Sequence, residues 1–375
     1  MVHGHHRPAA RIGALGLALV LAAAGTACSK DATTTTGSGS GSGSSGGGKK
    51  IALLLPETKT ARYETQDKPL FTAKIKSLCS DCEVLYSNAD QDAAKQQSQA
   101  EAAITNGANV LVLDPVDSAS AVAIVTKAKQ QKVPVISYDR LINNADIDAY
   151  ISFDNEQVGK LQATALVDKL KKDGKSGSIV MINGSPTDNN AGLFKKGAKS
   201  VLDSSGFKIG AEYDTPDWSP DKAQSEMDQA ITQLGKDGFV GVYAANDGTA
   251  GGAISSMKGA GISPIPPITG QDAEVAGIQR VLAGEQYMTV YKAVKPEAEN
   301  AAVMALALAQ GKELPSDIVK DKVNNKTKDV PSSILTPIAV TKDNVKSTVI
   351  ADGFWTAAVI CTDAYKTACS SAGIS

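Results

Sequence analysis

Val135-Ile136-Ser137-Tyr138-Asp139-Arg140 is a short apolar run that ends in an acid beside a base. Read as a strand, it places both charges at its C-terminal tip, where open parallel α/β sheets bind their ligands. An Asp–Arg pair at that tip sets planar acceptors next to a fork of donors. Neutral hydroxyl groups, which both donate and accept, suit such a pair. A surface ion pair following a strand is the plain alternative, and the surrounding chain has to separate the two.

Upstream, residues 50–56 are continuously apolar, as for a strand buried on both faces. Residues 65–78 carry a helical pattern, 83–87 a strand, and 92–105 a helix closed by Asn106-Gly107. Then follow a strand at 109–114, a helix at 118–131, and strands at 133–137 and 150–153. This alternation predicts a doubly wound sheet. The pattern then restarts, with helices predicted over 157–171, 190–202, 220–235, 249–259, 273–283 and 296–310. Strands are predicted at 178–183, 208–213, 239–244, 267–270, 286–291 and, late in the chain, 334–340. The fold class is α/β, with two similar lobes, each built on a parallel sheet.

The 375 residues are 42% hydrophobic and 21% charged, which suits a globular protein of about two domains. No long basic run points to nucleic acid or an anionic membrane surface. The first residues read as a targeting signal: Arg7 and Arg11, an apolar stretch at 12–24, then Gly25-Thr26-Ala27-Cys28. Cleavage after residue 27 removes His3, His5 and His6, the three histidines of the chain. Triads built on His and His-based metal sites are thereby excluded. Cleavage also removes two of 38 basic side chains and none of 40 acidic ones, so the net charge moves from −2 to −4. Residues 29–48 are rich in Thr, Ser and Gly and read as a flexible tether with a reach of about 25 Å. Gly41-x-Gly43-x-x-Gly46 has no strand before it or helix after it and carries no dinucleotide reading.

Four further cysteines remain. Cys79 and Cys82 form a C-x-x-C between a helix end and a strand, and Cys361 and Cys369 lie near the C-terminus. Zinc would need all four brought together, and a redox C-x-x-C would open a helix. In an exported protein two local disulfides are the reading adopted. No metal and no cofactor is expected.

Without histidine, catalysis would rest on carboxylates, serines or lysines. A glycosidase needs two carboxyl groups facing one bond, and Asp139, Asp188, Asp247 and Asp272 are nominal candidates. Each of them instead neighbours an amide or a base: Asp139-Arg140, Asp188-Asn189-Asn190, Asn246-Asp247, Gln271-Asp272. Repeated pairs of this kind at strand ends read as hydrogen-bond recognition of a neutral polyhydroxyl ligand. Asn246-Asp247-Gly248 taken alone also reads as a turn.

Tyr138-Asp139-Arg140-Leu141-Ile142, the run from Asp146 to Asn155 and Gly184-Ser185-Pro186-Thr187-Asp188-Asn189-Asn190-Ala191 carry a wider likeness. So do Ala245-Asn246-Asp247-Gly248-Thr249, Gly270-Gln271-Asp272-Ala273, Met288-Thr289-Val290-Tyr291-Lys292 and Val330-Pro331-Ser332-Ser333-Ile334. Over about 49–354 the chain resembles the periplasmic-type (type I) sugar-binding proteins of ABC transporters, and within them the D-xylose-binding group. The resemblance implies two lobes joined by a three-strand hinge: 49–153 with 292–336, and 154–291 with 337–375. Residues 1–27 would be the signal peptide, and 28–48 the lipidated Cys28 and its tether, since Gly25–Cys28 resembles a lipobox. That box carries Gly25 where Leu is more usual.

The resemblance also implies site roles. Arg62 and Tyr63 match an Arg-aromatic pair after the first strand, although the preceding Glu57-Thr58-Lys59-Thr60 departs from the usual pattern. Asp139 and Arg140 would bind from the first lobe, and Asp188, Asn190, Asn246 and Asp272 from the second. Lys292 would donate at a crossover, and Trp218 would stack on the sugar ring or, alternatively, anchor its loop. The expected function is a lipid-anchored, monomeric, extracytoplasmic receptor that captures D-xylose by hinge closure and delivers it to a permease. The hinge would lie near 152–155, 290–293 and 335–339. Rival expectations are a glucose, galactose or other monosaccharide receptor, including a chemosensory one, and a carbohydrate-active enzyme. A repressor of related fold is disfavoured by the signal and the lack of a DNA-binding headpiece.

Overall fold

The apolar run after the tether forms β1 (Lys50–Leu55), with five consecutive buried residues. They are buried because parallel strands flank β1 and helices cover both faces of its sheet. The computed structural model describes residues 48–374; the signal segment, Cys28 and the tether to residue 47 lie outside them. Next come α1 (Lys68–Leu78), β2 (Glu83–Asn88), α2 (Ala93–Thr105), β3 (Val110–Leu113), α3 (Val122–Gln130), β4 (Val135–Tyr138) and β5 (Ala149–Phe153). The second series is α4 (Asn155–Lys172), β6 (Ser178–Asn183), α5 (Asn189–Leu202), β7 (Lys208–Asp214), α6 (Pro220–Leu234), β8 (Gly241–Ala244) and α7 (Asp247–Gly259). It continues with α8 (Val275–Ala283), β9 (Met288–Tyr291), α9 (Val294–Ala309), β10 (Asp321–Asn324), β11 (Asp329–Leu335) and β12 (Ile338–Thr341).

The first sheet runs β10-β11-β5-β4-β3-β1-β2, parallel throughout except for the edge pair β10/β11. One face packs on α1 and α9 through Phe71, Ile75, Ala298, Ala302 and Ala305, the other on α2 and α3 through Ala100, Ala103, Ile124 and Val125. The second sheet has β7-β6-β8 in parallel, and β9 pairs antiparallel with β12. Residues 267–270 join the two parts: Val242 N donates to Pro267 O, Tyr287 N to Ile268 O, and Val290 N to Gly270 O. The chain passes between the sheets at three places: β5 to α4, β9 to α9, and β11 to β12.

Several predicted elements are corrected. The late strand at 334–340 is two strands in two sheets, broken at Thr336-Pro337, because proline has no N–H for a ladder. The β10/β11 hairpin was not predicted; Pro331 and a polar stretch disguise it, and Pro331 fits an edge strand. Both sheets therefore carry an antiparallel edge and are not wholly parallel. The stretch at 267–270 forms one bridge, Val242 to Ile268, rather than a full strand; Pro267 within it has no N–H to donate. The helix expected from 118 starts at Val122: Asp117 Oδ1 accepts from Ala119 N and Ser120 N, at 2.8 Å each, and holds those residues in a turn.

The structure pairs Cys79 with Cys82 and Cys361 with Cys369. Cys79, Cys82 and Asp81 lie close enough together to suggest a metal site, but both sulfurs are spent on their mutual bond. Among the described residues no helix is long and apolar enough to cross a membrane.

Candidate binding site

β4 delivers Asp139 and Arg140 past its carboxyl end. Asp139 N donates to Ile151 O at 2.9 Å, and the turn forces Asp139 to φ 54°, a left-handed conformation that Asp tolerates better than most residues. Its carboxylate accepts from Asn190 Nδ2 at 2.9 Å and lies 2.9 Å from Arg62 Nη1. Burial would raise its pKa, but Lys292, Arg62 and Arg140 hold the carboxyl below its usual range, so it is an anion.

Arg140 Nε lies 3.0 Å from Asp188 Oδ2; its Nη1 donates to Pro115 O at 3.2 Å and its Nη2 to Tyr63 OH at 3.3 Å. Asp188 is the N-cap of α5, accepting from Asn190 N at 2.8 Å and from Trp218 Nε1 at 3.1 Å. Burial and the nearby Asp139 raise the Asp188 carboxyl against the pull of Arg140. Asn246 caps α7 in a capping box with Thr249. Asp272, at φ 87°, donates its N–H to Val290 O, and its carboxylate lies 3.1 Å from Lys292 Nζ.

These side chains meet in one narrow cavity of ≈ 20 Å³, room for about one water-sized molecule between closely approaching polar groups. All ten residues singled out in the sequence line it: Arg62, Tyr63, Asp139, Arg140, Asp188, Asn190, Trp218, Asn246, Asp272 and Lys292. Each of the ten is at least 94% buried. Three cations, Arg62, Arg140 and Lys292, face three carboxylates, Asp139, Asp188 and Asp272, so the lining is balanced in charge. Asn190 Oδ1 and Gln271 Oε1 have no hydrogen-bond partner within the protein, although both are buried. A polar group left so in a closed core is costly; donors on a bound molecule would satisfy these oxygens.

Trp218 both lines the cavity and anchors its loop. Its ring lies so close to Gly184 that a Cβ there would fall 1.9 Å from Cη2, and it meets Phe194 edge-on at 6.3 Å between centroids. Sequence reasoning missed three lining residues, Thr60, Phe194 and Gln271. Phe194 was accessible: it stands four residues after Asn190, on the same face of α5. Gln271 adjoins Asp272 in a quoted motif. Asp67, Asp114 and Glu297, buried acids beside the lining cations, were also missed. Asp247, a nominal catalytic carboxylate, does not line the cavity. It is spent on Gln286 Nε2 at 2.6 Å, Thr289 Oγ1 at 3.0 Å and Glu274 N at 2.9 Å. A larger surface groove lies at the opposite end of the second sheet, around Phe239, Pro264 and Tyr287, without such a convergence of buried acids and bases.

Comparison with known proteins agrees with this geometry. The periplasmic binding protein domain family matches residues 51–313. The D-xylose-binding periplasmic protein of Escherichia coli (strain K12) is 42% identical over 309 residues, covering 81% of this chain and 90% of that protein. A multiple sugar-binding periplasmic receptor of Rhizobium radiobacter is 38% identical over 286 residues, 72% of this chain and 80% of its own length. The crystal structure of an ABC transporter solute-binding protein from Clostridium phytofermentans, with bound β-D-glucose, superposes with a TM-score of 0.77 at 30% identity. It covers 83% of this chain and 100% of that one.

Proposed function

We propose that this chain, which belongs to the periplasmic binding protein family, is the sugar-capturing component of an ABC transporter, and that its ligand is D-xylose or a similar aldopyranose. The observation that carries the reading is the charge-balanced cavity. Three acid–base sets offer acceptors and donors together, as neutral hydroxyls require, while Tyr63, Phe194 and Trp218 supply apolar faces for a ring. The relatives named for D-xylose support that ligand. The multiple sugar-binding receptor and the glucose-bound neighbour favour a second reading, glucose or a broader aldopyranose range.

The reading divides the chain into lobes at 49–153 with 292–336 and 154–291 with 337–375. Arg62, Tyr63, Asp139 and Arg140 would hold the sugar from the first lobe, and Asp188, Asn190, Trp218, Asn246 and Asp272 from the second, with Lys292 at a crossover. Contacts from both sides exist only when the lobes are closed. The sugar therefore shifts a hinge equilibrium by its greater affinity for the closed form. The closed form would dock on a permease, outside the cytoplasm, with a lipid on Cys28 as the only link to the membrane. This is binding, not turnover.

Calorimetric titration with a panel of monosaccharides tests the reading. D-xylose is expected to give a saturable one-site response, and Arg140→Ala and Asp272→Ala each to weaken it by about 10–100-fold, the scale of a lost charge-assisted hydrogen bond. Unchanged affinity in both variants would remove the site assignment. Glucose measured beside xylose decides between the two readings, and release of product from xylosides would point to an enzyme.

A further inference from the structure

Behind the cavity, one guanidinium faces three carboxylates. Arg62 donates from Nε to Asp67 Oδ2 at 3.0 Å, from Nη2 to Asp67 Oδ1 at 2.7 Å and from Nη2 to Glu297 Oε2 at 2.6 Å, and its Nη1 lies 2.9 Å from Asp139 Oδ2. All four side chains are at least 97% buried. The second cation within reach, Lys292, is shared between Asp139 and Asp272. Arg140, the third cation of the site, is taken by Asp188 and Asp114, so two positive charges stand against four acids buried from solvent. Leaving all four ionised would bury two uncompensated negative charges, which proteins avoid by neutralising a group.

The hydrogen bonds say which acid gives way. Asp67 receives the two-toothed fork of Arg62 and the hydroxyl of Tyr138, so both its oxygens are met by donors as an anion requires. Asp139 receives Asn190, Arg62 and the field of Lys292. Glu297, in the first turn of α9, has one oxygen on Arg62 Nη2, a nitrogen it shares with Asp67, and its Oε1 meets no donor within the protein. A bare anionic oxygen there costs more than a hydroxyl.

We propose that Glu297 carries a proton in the native protein and acts, as a neutral acid, as a positioning residue for Arg62. Its carbonyl oxygen steadies Nη2 without drawing the charge of the guanidinium away from Asp139 and the cavity. The groups that face Glu297 are Arg62 and Asp67 from the turn after β1, Tyr138 and Asp139 from the end of β4, Tyr150 from β5, and Lys292 from the end of β9. Burial pushes its carboxyl well above the carboxylate range; Asp139 and Asp67 add to this, against Arg62 and Lys292. The positioning half rests on the proposed sugar site; the proton does not.

Two measurements on the full chain test the inference. The first is urea unfolding of wild type and Glu297→Gln across roughly pH 5 to 8. A native acid that keeps a proton which the unfolded chain releases destabilises the fold as pH rises. The unfolding constant of the wild type is therefore expected to climb more steeply than that of the variant, by about tenfold per pH unit for one proton. Parallel slopes would show Glu297 ionised and overturn the proposal. The second is sugar affinity. Glu297→Leu, which removes the acceptor for Arg62, is expected to lose about tenfold, and Glu297→Gln, a neutral acceptor, to restore binding to within about threefold. Asp67→Asn, which breaks the two-toothed fork on Arg62, is expected to behave like the Leu variant. A Gln variant as weak as Leu would overturn the positioning role. If wild type binds none of the sugars, the proposed function falls, and the slopes still decide the proton.

Discussion

Asp139 and Asp272 both follow a sheet segment, both adopt a positive φ, and both turn a carboxylate into the cavity. Asp247 stands in an equally suggestive sequence context, after an amide, yet it is buried away from the cavity. Gly270 and Gly277 make room for it: a Cβ at either would fall 2.1 Å from one of its oxygens. Only the packing separates the three aspartates. Burial pushes Asp247 up to about 7, with Asp272 adding to the rise and Arg280, Gln286 and Thr289 opposing it. A raised carboxyl contributes stability while it is protonated, and that contribution is lost as pH climbs from the unfolded value near 4 towards 7. Asp247→Asn is therefore expected to flatten the decline of unfolding free energy over that window and to leave it unchanged above it. Denaturant titrations at several pH values check this.

At the scale of elements, the carboxyl-end loops owe their placement to close helix packing. α4 and α5 cross where Gly159 faces Phe194 O and Gly197 faces Glu156 O; a Cβ would approach these oxygens to 1.9 and 2.0 Å. This approach seats α5, whose first turn carries Asp188 and Asn190 into the site. Gly159→Ala is expected to destabilise the fold by about 1–3 kcal/mol, the scale of overpacking, and to weaken sugar binding through displacement of α5. Urea unfolding and calorimetry on the same variant measure both. The helices were legible in the sequence because their apolar spacing is local and their caps are local. The β10/β11 hairpin and the bridge at 267–270 were not, because prolines and polar residues conceal pairings that depend on a neighbouring strand.

At the scale of the molecule, the two sheets' loops also touch outside the cavity. Ser118 N donates to Thr187 O at 3.0 Å, Asn189 N to Ser118 Oγ at 3.2 Å, and Asn143 Nδ2 to Asn189 Oδ1 at 2.7 Å. On the proposed hinge, these bonds would favour the closed form without touching a ligand in the cavity. Asn143→Ala is expected to weaken sugar affinity by about 2–10-fold, the worth of one net hydrogen bond, through faster dissociation. Stopped-flow release measures it, and an unchanged off-rate would count against a latch.

What the sequence by itself determined is the alternation of strands and helices and the restart after 153 that makes two sheets, both written in local periodicity. Polar pairs at strand ends marked Asp139, Arg140, Asp188, Asn190, Asn246 and Asp272, and the resemblance to the sugar-binding family added Arg62, Tyr63, Trp218 and Lys292, ten of the thirteen residues that line the cavity. Only the tertiary structure decided the rest. Val135–Arg140 shows why. Its tip pairs Asp139 with Asn190 and Arg140 with Asp188, partners 51 and 48 positions away, and it leans on Arg62, which is also held by Asp67 and Glu297. How charges share a buried cation depends on distances across the fold, and no local pattern encodes them.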